Sequence, residues 1–470
     1  MRGTDCQKLS IAPSMPRRRG PERPVFSASH QPLSGTRAPL WRTSVDGAPV
    51  SGAPDGSALS LPPMTERVVV IGAGQAAIQC IETLRKKGFG GSIDLVGEEP
   101  HLPYQRPPLS KRYLAGELDR DRLTLRHQNY FDEQRIRTHL GRLAVSIGRS
   151  SATVTLDDGQ TLHYDALVLA TGILPRRLSL PGSDLAGVHH LKDIADADRL
   201  LSEIHPGCRA VIIGGGYIGL ETAATLRHLG MEVTVLEMAD RVMNRVVAEP
   251  VSRYFEAEHA GHGVQLLLRC NVTGLQDDTS GRVCGVDTAA GRIEASLVIV
   301  GIGVIAHDTL ARSAGLACEN GILVDEYCRT SDPSIYAIGD CSNHPSQRYG
   351  RRVRLESVDN AFEQGTTAAL NILGQAQPHD RVPWFWSDQY HHKLLIIGLS
   401  QGHDRVVLRG HPKDNSFSYC YLKSDGELLA IDTVNQAKDQ IAARKLIAAR
   451  AKLDANKAAD ISISLKDCLL

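Results

Sequence analysis

One short pattern occurs twice in this chain, and that repetition limits what it can fold into more than any other feature. Residues 68–71 are four consecutive β-branched side chains, apolar on both faces and too few for a helix. That is how a strand buried inside a parallel sheet reads. Gly72, Gly74 and Ala77 follow in G-x-G-x-x-A spacing. The first glycine permits a sharp turn, the second lets backbone N–H groups approach a pyrophosphate, and the small third residue allows close helix–strand packing. A second apolar run, 93–96, ends near Glu98, a carboxylate placed to accept hydrogen bonds from an adenosine ribose. The pattern returns at 209–213, followed by Gly214, Gly216 and Gly219, a helix over 217–229 stopped by Gly230, and a strand over 232–236 that leads into Glu237. An acid there favours a free 2′-hydroxyl and repels a 2′-phosphate, so NADH is expected over NADPH, with Arg241 and Arg245 nearby to soften the preference. Two dinucleotide sites in one chain imply that one cofactor passes electrons to the other.

The 470 residues allow two to four domains. Zero net charge and 42% hydrophobic content give no bias toward nucleic acid, and no apolar run is long enough to span a bilayer. The 10 cysteines include no C-x-x-C, which argues for a reducing compartment and against a disulfide scaffold or a zinc site. A cytoplasmic protein without a metal site is expected. Residues 1–63 are rich in Pro, Ser, Gly and Arg without any periodicity. They read as a disordered extension or an over-extended start before Met64, in preference to a targeting leader.

In the loop 100–111, prolines preclude a strand, Leu109 onward resembles a helix start, and Arg106 and Lys111 are placed to point back at a cofactor. Asp157-Asp158-Gly159 marks a hairpin, and the strand 166–169 runs into the small-residue turn Ala170-Thr171-Gly172. The second nucleotide unit closes with a strand over 296–300. Another buried-type strand, 334–338, ends at Gly339-Asp340, where an acid can accept from ribityl hydroxyls or cap the next helix. Residues 354–371 suit a helix whose dipole stabilises negative charge on a flavin ring. An aromatic segment, P-W-F-W-S-D-Q, precedes alternating strands over 390–435 and a helix over 436–453. The fold class expected is α/β, with two Rossmann-like (FAD/NAD(P)-binding) domains plus a C-terminal α+β domain. The boundaries expected from these runs are 185–304 for the second nucleotide unit and 383–470 for the last domain.

The tandem glycine motifs, A-T-G, G-D, Y-Q-R-P-P-L-S-K, E-S-V-D-N-A and P-W-F-W-S-D-Q together resemble the FAD-dependent NADH:ferredoxin reductases of bacterial oxygenase systems. That resemblance implies an FAD domain in two segments, 64–184 and 305–382, around an inserted NAD domain at 185–304, followed by an interface domain at 383–470. It implies an FAD loop at Gly72, Gly74 and Ala76, with Glu98 on the adenosine ribose. It places Lys111 beside the flavin, Asp340 on the ribityl chain and Val358 at the pyrimidine end. It assigns Gly214, Gly216, Gly219 and Glu237 to NADH, Glu221 to the nicotinamide, and Trp386 to the flavin side facing a protein partner. Lys111 paired with Glu221 would neutralise reduced flavin and orient the nicotinamide. Two departures stand out: Lys192 where the family commonly has an FAD-binding arginine, and Gly303-Val304-Ile305-Ala306-His307 where it commonly reads G-V-x-P-N.

Electrons would then leave to a small acidic iron–sulfur protein, a ferredoxin or rubredoxin serving a cytochrome P450 or ring-hydroxylating dioxygenase. A basic cluster of Arg348, Arg351, Arg352 and Arg354 is the candidate docking surface. A monomer or weak homodimer is expected. Thiol chemistry is disfavoured because no cysteine lies between Cys80 and Cys208. The reading weighed against electron transfer is a flavoprotein similar to the apoptosis-inducing-factor proteins, in which NADH switches assembly.

Overall fold

The computed structural model describes residues 65–470, so the expected extension over 1–63 lies outside the described residues. Two five-stranded parallel sheets carry the two glycine motifs. In the first, the order is Ile335–Ala337, Ala166–Leu169, Arg67–Ile71, Ser92–Gly97, Ile136–Leu140. In the second, it is Val188–His189, Leu297–Val300, Arg209–Ile213, Glu232–Glu237, Gln265–Leu268. The motif strand is central in both, flanked by strands that belong to opposite windings, so its carboxyl end opens at the crevice where such sheets bind ligands. Val68, Val69 and Val70 are wholly buried, as continuous apolar runs must be when both faces of a sheet are covered. Each half also carries a three-stranded antiparallel meander, Ala144–Gly148, Thr153–Leu156 and Thr161–His163 in the first, Val272–Asp277, Val283–Thr288 and Gly291–Glu294 in the second. Where the chain crosses between the halves, Ile173–Pro175 and Val304–Ala306 pair antiparallel.

The aromatic segment is itself a strand, Trp384–Gln389, at the edge of a five-stranded antiparallel sheet completed by His392–Gly398, Leu428–Val434, Ser416–Leu422 and Arg405–His411. One face of this sheet packs on the helix Ala437–Ala448. The other shares a core with the second parallel half, where Leu394, Phe417 and Tyr421 join Leu220 and Phe255.

Two local expectations fail for identifiable reasons. The helix expected over 436–453 stops at Ala448. Arg450 turns left-handed (φ +50°), and the Arg348 guanidinium takes the carbonyls of Ile447 and Ala448. The helix expected from Leu109 is a single 3₁₀ turn, Pro107–Ser110, because Lys111 leaves helical geometry at φ −127°, ψ −111°. That break points the Lys111 ammonium at the second half of the molecule.

Candidate active site

Both glycine loops are built for close approach. Gly72 sits at φ +103°, where a Cβ would come within 2.1 Å of the Ala170 carbonyl oxygen. Gly214 sits at φ +112°, with the Gly301 oxygen at 2.3 Å from the same imagined atom. The helices that follow, Gln75–Lys86 and Tyr217–His228, start at Gly74 and Gly216 with no side-chain cap and no acid in the first turn. Their leading N–H groups and dipole ends are therefore open to an anion. Gly219 is needed for a further reason, since a Cβ there would meet the Gly214 oxygen at 2.2 Å.

The two loops open onto one cavity of about 1380 Å³. That exceeds the ~300–1,000 Å³ of a single small-ligand pocket. Every site residue named from the sequence lines it except Ala77, whose side chain is wholly buried beneath the first loop.

The two halves meet at Lys111 and Glu221. Lys111 Nζ lies 2.6 Å from Glu221 Oε2, with side chains 17% and 6% exposed. Ser110 Oγ donates to the same oxygen at 2.7 Å, and Ser387 Oγ donates to Oε1 at 2.8 Å. Glu221 thus receives one donor pair from the proline-rich loop and one donor from the C-terminal sheet. Thr225 Oγ1 donates to the Ser110 carbonyl at 2.8 Å and ties that loop to the second-half helix. Gln389 Nε2 donates to Ser387 Oγ at 3.1 Å, and its Oε1 is bonded to His259 Nε2 at 2.8 Å. Ser110 and Ser387 are site residues beyond those expected from the sequence, although both stand inside the motifs P-P-L-S-K and W-F-W-S-D-Q.

The remaining acids differ sharply in what holds them. Glu237 accepts from the backbone N–H of Gly215 and of Ala239, both at 2.7 Å. Glu98 is exposed at the cavity rim with no protein donor among the described residues, whereas its neighbour Glu99 accepts from Tyr104 OH at 2.5 Å and Arg106 Nη2 at 2.6 Å. Arg106 also donates to Tyr104 OH and to the Lys192 carbonyl, both at 3.0 Å, which fixes its place on the wall. Burial would raise the Glu99 pKa, but the Arg106 charge, the Tyr104 hydrogen bond and, more weakly, the Lys192 charge hold it below the usual carboxylate range. Asp340 faces the cavity, and among the described residues no protein donor reaches its carboxylate. Lost hydration, reinforced by Glu356, pushes its pKa up to about 7, against the pull of Arg354 and Arg106. A half-buried acceptor that faces a cavity without a protein partner fits a hydroxyl-bearing ligand.

At the altered 303–307 segment, Thr171 Oγ1 donates to the His307 carbonyl at 2.5 Å and the His307 N–H to the Gly172 carbonyl at 2.9 Å, so the A-T-G turn is held by backbone at that point. Val358 begins the helix Val358–Ile372, capped by Ser357, and faces the cavity. Trp386 lies on the cavity wall 5.5 Å from the Trp384 ring, while Phe385 packs at 4.5 Å on Tyr217. Arg241 is committed to its own loop, donating to Val247 and Asn244 carbonyls, while Arg245 reaches the cavity. The basic cluster is also divided. Arg348 caps a helix and Arg354 pairs with Glu356 at 2.7 Å. Arg351 and Arg352 are exposed, though the Arg352 guanidinium also bonds the Val324 carbonyl.

The nine cysteines among the described residues are free. Cys270 alone among them lines the cavity, and it lies beside Glu237, its N–H bonded to that residue's carbonyl at 3.0 Å. No helix among the described residues is long and apolar enough to cross a membrane.

The pyridine nucleotide-disulphide oxidoreductase family profile matches residues 66–365, and a reductase C-terminal domain matches 384–469. Rhodocoxin reductase of Rhodococcus erythropolis is 44% identical over 401 residues, 85% of this chain and 93% of that protein. The ferredoxin reductase subunit of 5,5'-dehydrodivanillate O-demethylase from a Sphingobium strain is 42% identical over 85% of this chain and 97% of its own. A solved covalent putidaredoxin reductase–putidaredoxin complex superposes with a TM-score of 0.83 at 41% identity, covering 86% of this chain and 98% of the other. The family binds FAD and NAD(H), and the paired cradles, with the acids Glu98 and Asp340 facing the cavity without protein donors among the described residues, fit such groups. By profile, identity and coverage, the chain belongs to the pyridine nucleotide-disulphide oxidoreductases, in the ferredoxin-reductase group that carries a reductase C-terminal domain.

Proposed function

We propose that this protein takes electrons from NADH through FAD and delivers them to a small acidic iron–sulfur protein, a ferredoxin or rubredoxin, that serves an oxygenase such as a cytochrome P450 or a ring-hydroxylating dioxygenase in a bacterial cytoplasm. The observation that carries this reading is the buried Lys111–Glu221 pair at the seam of two dinucleotide cradles, with an aromatic wall beside it and no thiol pair lining the cavity among the described residues. When bound, FAD supplies the exchange between two-electron nicotinamide chemistry and a one-electron carrier.

The chain's own residues would supply geometry and charge. Gly72, Gly74 and Ala76 hold one pyrophosphate and Gly214, Gly216 and Gly219 the other, each against an open helix end. Glu98 and Glu237 take the adenosine riboses. The Glu237 carboxylate, aimed by two backbone donors, would repel a 2′-phosphate and so favours NADH. Asp340 accepts from the ribityl chain, with Arg106, Lys192, Thr171 and Val358 lining the rest of the flavin pocket. Lys111 presents positive charge to the flavin and Glu221, immobilised by three donors, orients the nicotinamide. Trp386 closes the pocket against water on the side open to a partner, and Arg351 and Arg352 offer that partner exposed positive charge. The division of the chain that goes with these roles is 64–184 with 305–382 for FAD, 185–304 for NAD and 383–470 for the interface domain. Each parallel sheet draws its strands from one of the first two sets.

Steady-state NADH oxidation by the purified flavoprotein with a panel of small iron–sulfur proteins tests the proposal. Fast reduction of at least one [2Fe–2S] protein or rubredoxin is expected. NADH consumption that reduces none of them would overturn it.

A further inference from the structure

Away from the cavity, the tip of the C-terminal sheet meets the helix Glu249–Gly261 in a corner crowded with imidazoles. His259 and His262 come from the helix end, and His391 and His392 from the turn between the strands Trp384–Gln389 and His392–Gly398. Tyr390 holds that turn at φ +54°, a conformation costly for a bulky side chain. Consecutive residues of a strand would point to opposite faces, but this turn brings the His391 and His392 rings together, 3.9 Å between centroids. His259 is used by Gln389 and Tyr390, and His262 stacks on Tyr390 and bonds its own helix. Ligand atoms of Glu258, His391 and His392 remain, all within 4.8 Å of one another.

The His392 ring is held on both sides. Tyr254 OH lies 2.9 Å from Asn415 Oδ1 and 3.1 Å from His392 Nδ1. His392 Nε2 faces Glu258 Oε2 at 2.8 Å, so the two groups already point at one another across the boundary between the helix and the C-terminal sheet.

We propose that Glu258, His391 and His392 form a site for a late first-row divalent cation of the Zn²⁺ class, bound through His392 Nε2, a His391 ring nitrogen and the Glu258 carboxylate, with water completing the shell. Two imidazoles and a carboxylate are a known donor set for such an ion, and a fixed partner on Nδ1 is the support that a ligating histidine commonly has. His391 is exposed and Glu258 half-buried, so both can shift to metal–ligand distance and an ion can enter from solvent. The expectation of no zinc site rested on cysteine spacing, which does not bear on this ligand set. Bound there, the ion would clamp the C-terminal sheet to the second parallel half.

Isothermal titration of ZnCl2 into the reduced, FAD-loaded protein, beside His391→Ala and Glu258→Gln, tests the site. Cysteine binding is common to all three proteins and cancels in the difference. Wild type should take up one ion more than either variant, the variants binding at that site about tenfold more weakly or worse. Zn²⁺ should also raise the wild-type Tm by about 3–6 °C and leave both variants unmoved. An isotherm shared by wild type and either variant, or no Zn²⁺ uptake attributable to this site, overturns the proposal.

Discussion

The two dinucleotide halves share a frame and are unequal in chemistry. Both place the glycine strand at the centre with four strands in the same order, and both follow it with a 12-residue helix. The outer strand differs, Ile335–Ala337 coming last in the first half and Val188–His189 first in the second. Aligned on their second glycines, Gln79 of the first helix corresponds to Glu221 of the second, and Thr83 to Thr225. Each threonine bonds the carbonyl four residues earlier, that of Gln79 or of Glu221. Gln79 turns to a neighbouring helix and donates to Thr366 at 3.0 Å, whereas Glu221 turns to Lys111 and Ser387. One amide against one carboxylate at the same place in a repeated frame decides which half reaches across the seam. The repeat supplies the cradles, and the asymmetry supplies the reactive pair.

The third motif position offers the strongest way to break the symmetry. Gly219→Ala puts a methyl 2.2 Å from backbone oxygen, so NADH binding should be lost while the protein stays yellow. Ala77→Gly in the first half should cost only about 1 kcal/mol of stability. NADH titration and flavin content on the two variants check this, and equal losses in both halves would remove the distinction. Next in size is Lys111→Ala, which leaves Glu221 buried without its counter-charge at a cost of about 3 kcal/mol. It should slow flavin reduction by NADH in stopped-flow, and an unchanged rate would sink the role given to Lys111.

Asp340 has no counterpart at the second half's seam and should set a pH signature. Its folded pKa lies near 7 against an ordinary value of 3.8, so between those limits the folded chain holds the extra proton. FAD-free protein therefore loses stability as pH rises through that window, the reverse of a salt-bridged carboxylate. Asp340→Asn should flatten the difference in Tm between pH 5 and pH 8 and weaken FAD binding. Ser387→Ala removes one of three donors to Glu221 and should cost about 1 kcal/mol, seen as a slightly lower Tm and slower flavin reduction. The smallest effect expected is from Arg351→Gln with Arg352→Gln, which should lessen the salt dependence of ferredoxin reduction without touching NADH oxidation in its absence.

Legibility in the sequence followed locality. The central strands, both glycine loops and the acids after them were readable, because β-branched runs and turn residues act over a few positions. The C-terminal sheet is readable from its alternation, but its aromatic edge strand is not, since three consecutive aromatics mask a period of two. Ser110 and Ser387 were invisible as donors, because the carboxylate they serve is brought to them only by folding. The basic cluster looks uniform in sequence, yet Arg348 is spent on the helix end at Ile447, and Arg354 on its neighbour Glu356 and on Asn320. Glu98 and Glu99 could be ranked only once Tyr104 and Arg106 had closed on the second of them.

The antiparallel ribbon of Ile173–Pro175 with Val304–Ala306 is the crossing between the halves. Two legs laced together resist swivel between the halves more than a single strand would, and so help to keep Lys111 and Glu221 face to face. Lengthening one leg by a residue would shift the register of that lacing and misalign the pair while leaving the sequence of both cradles untouched.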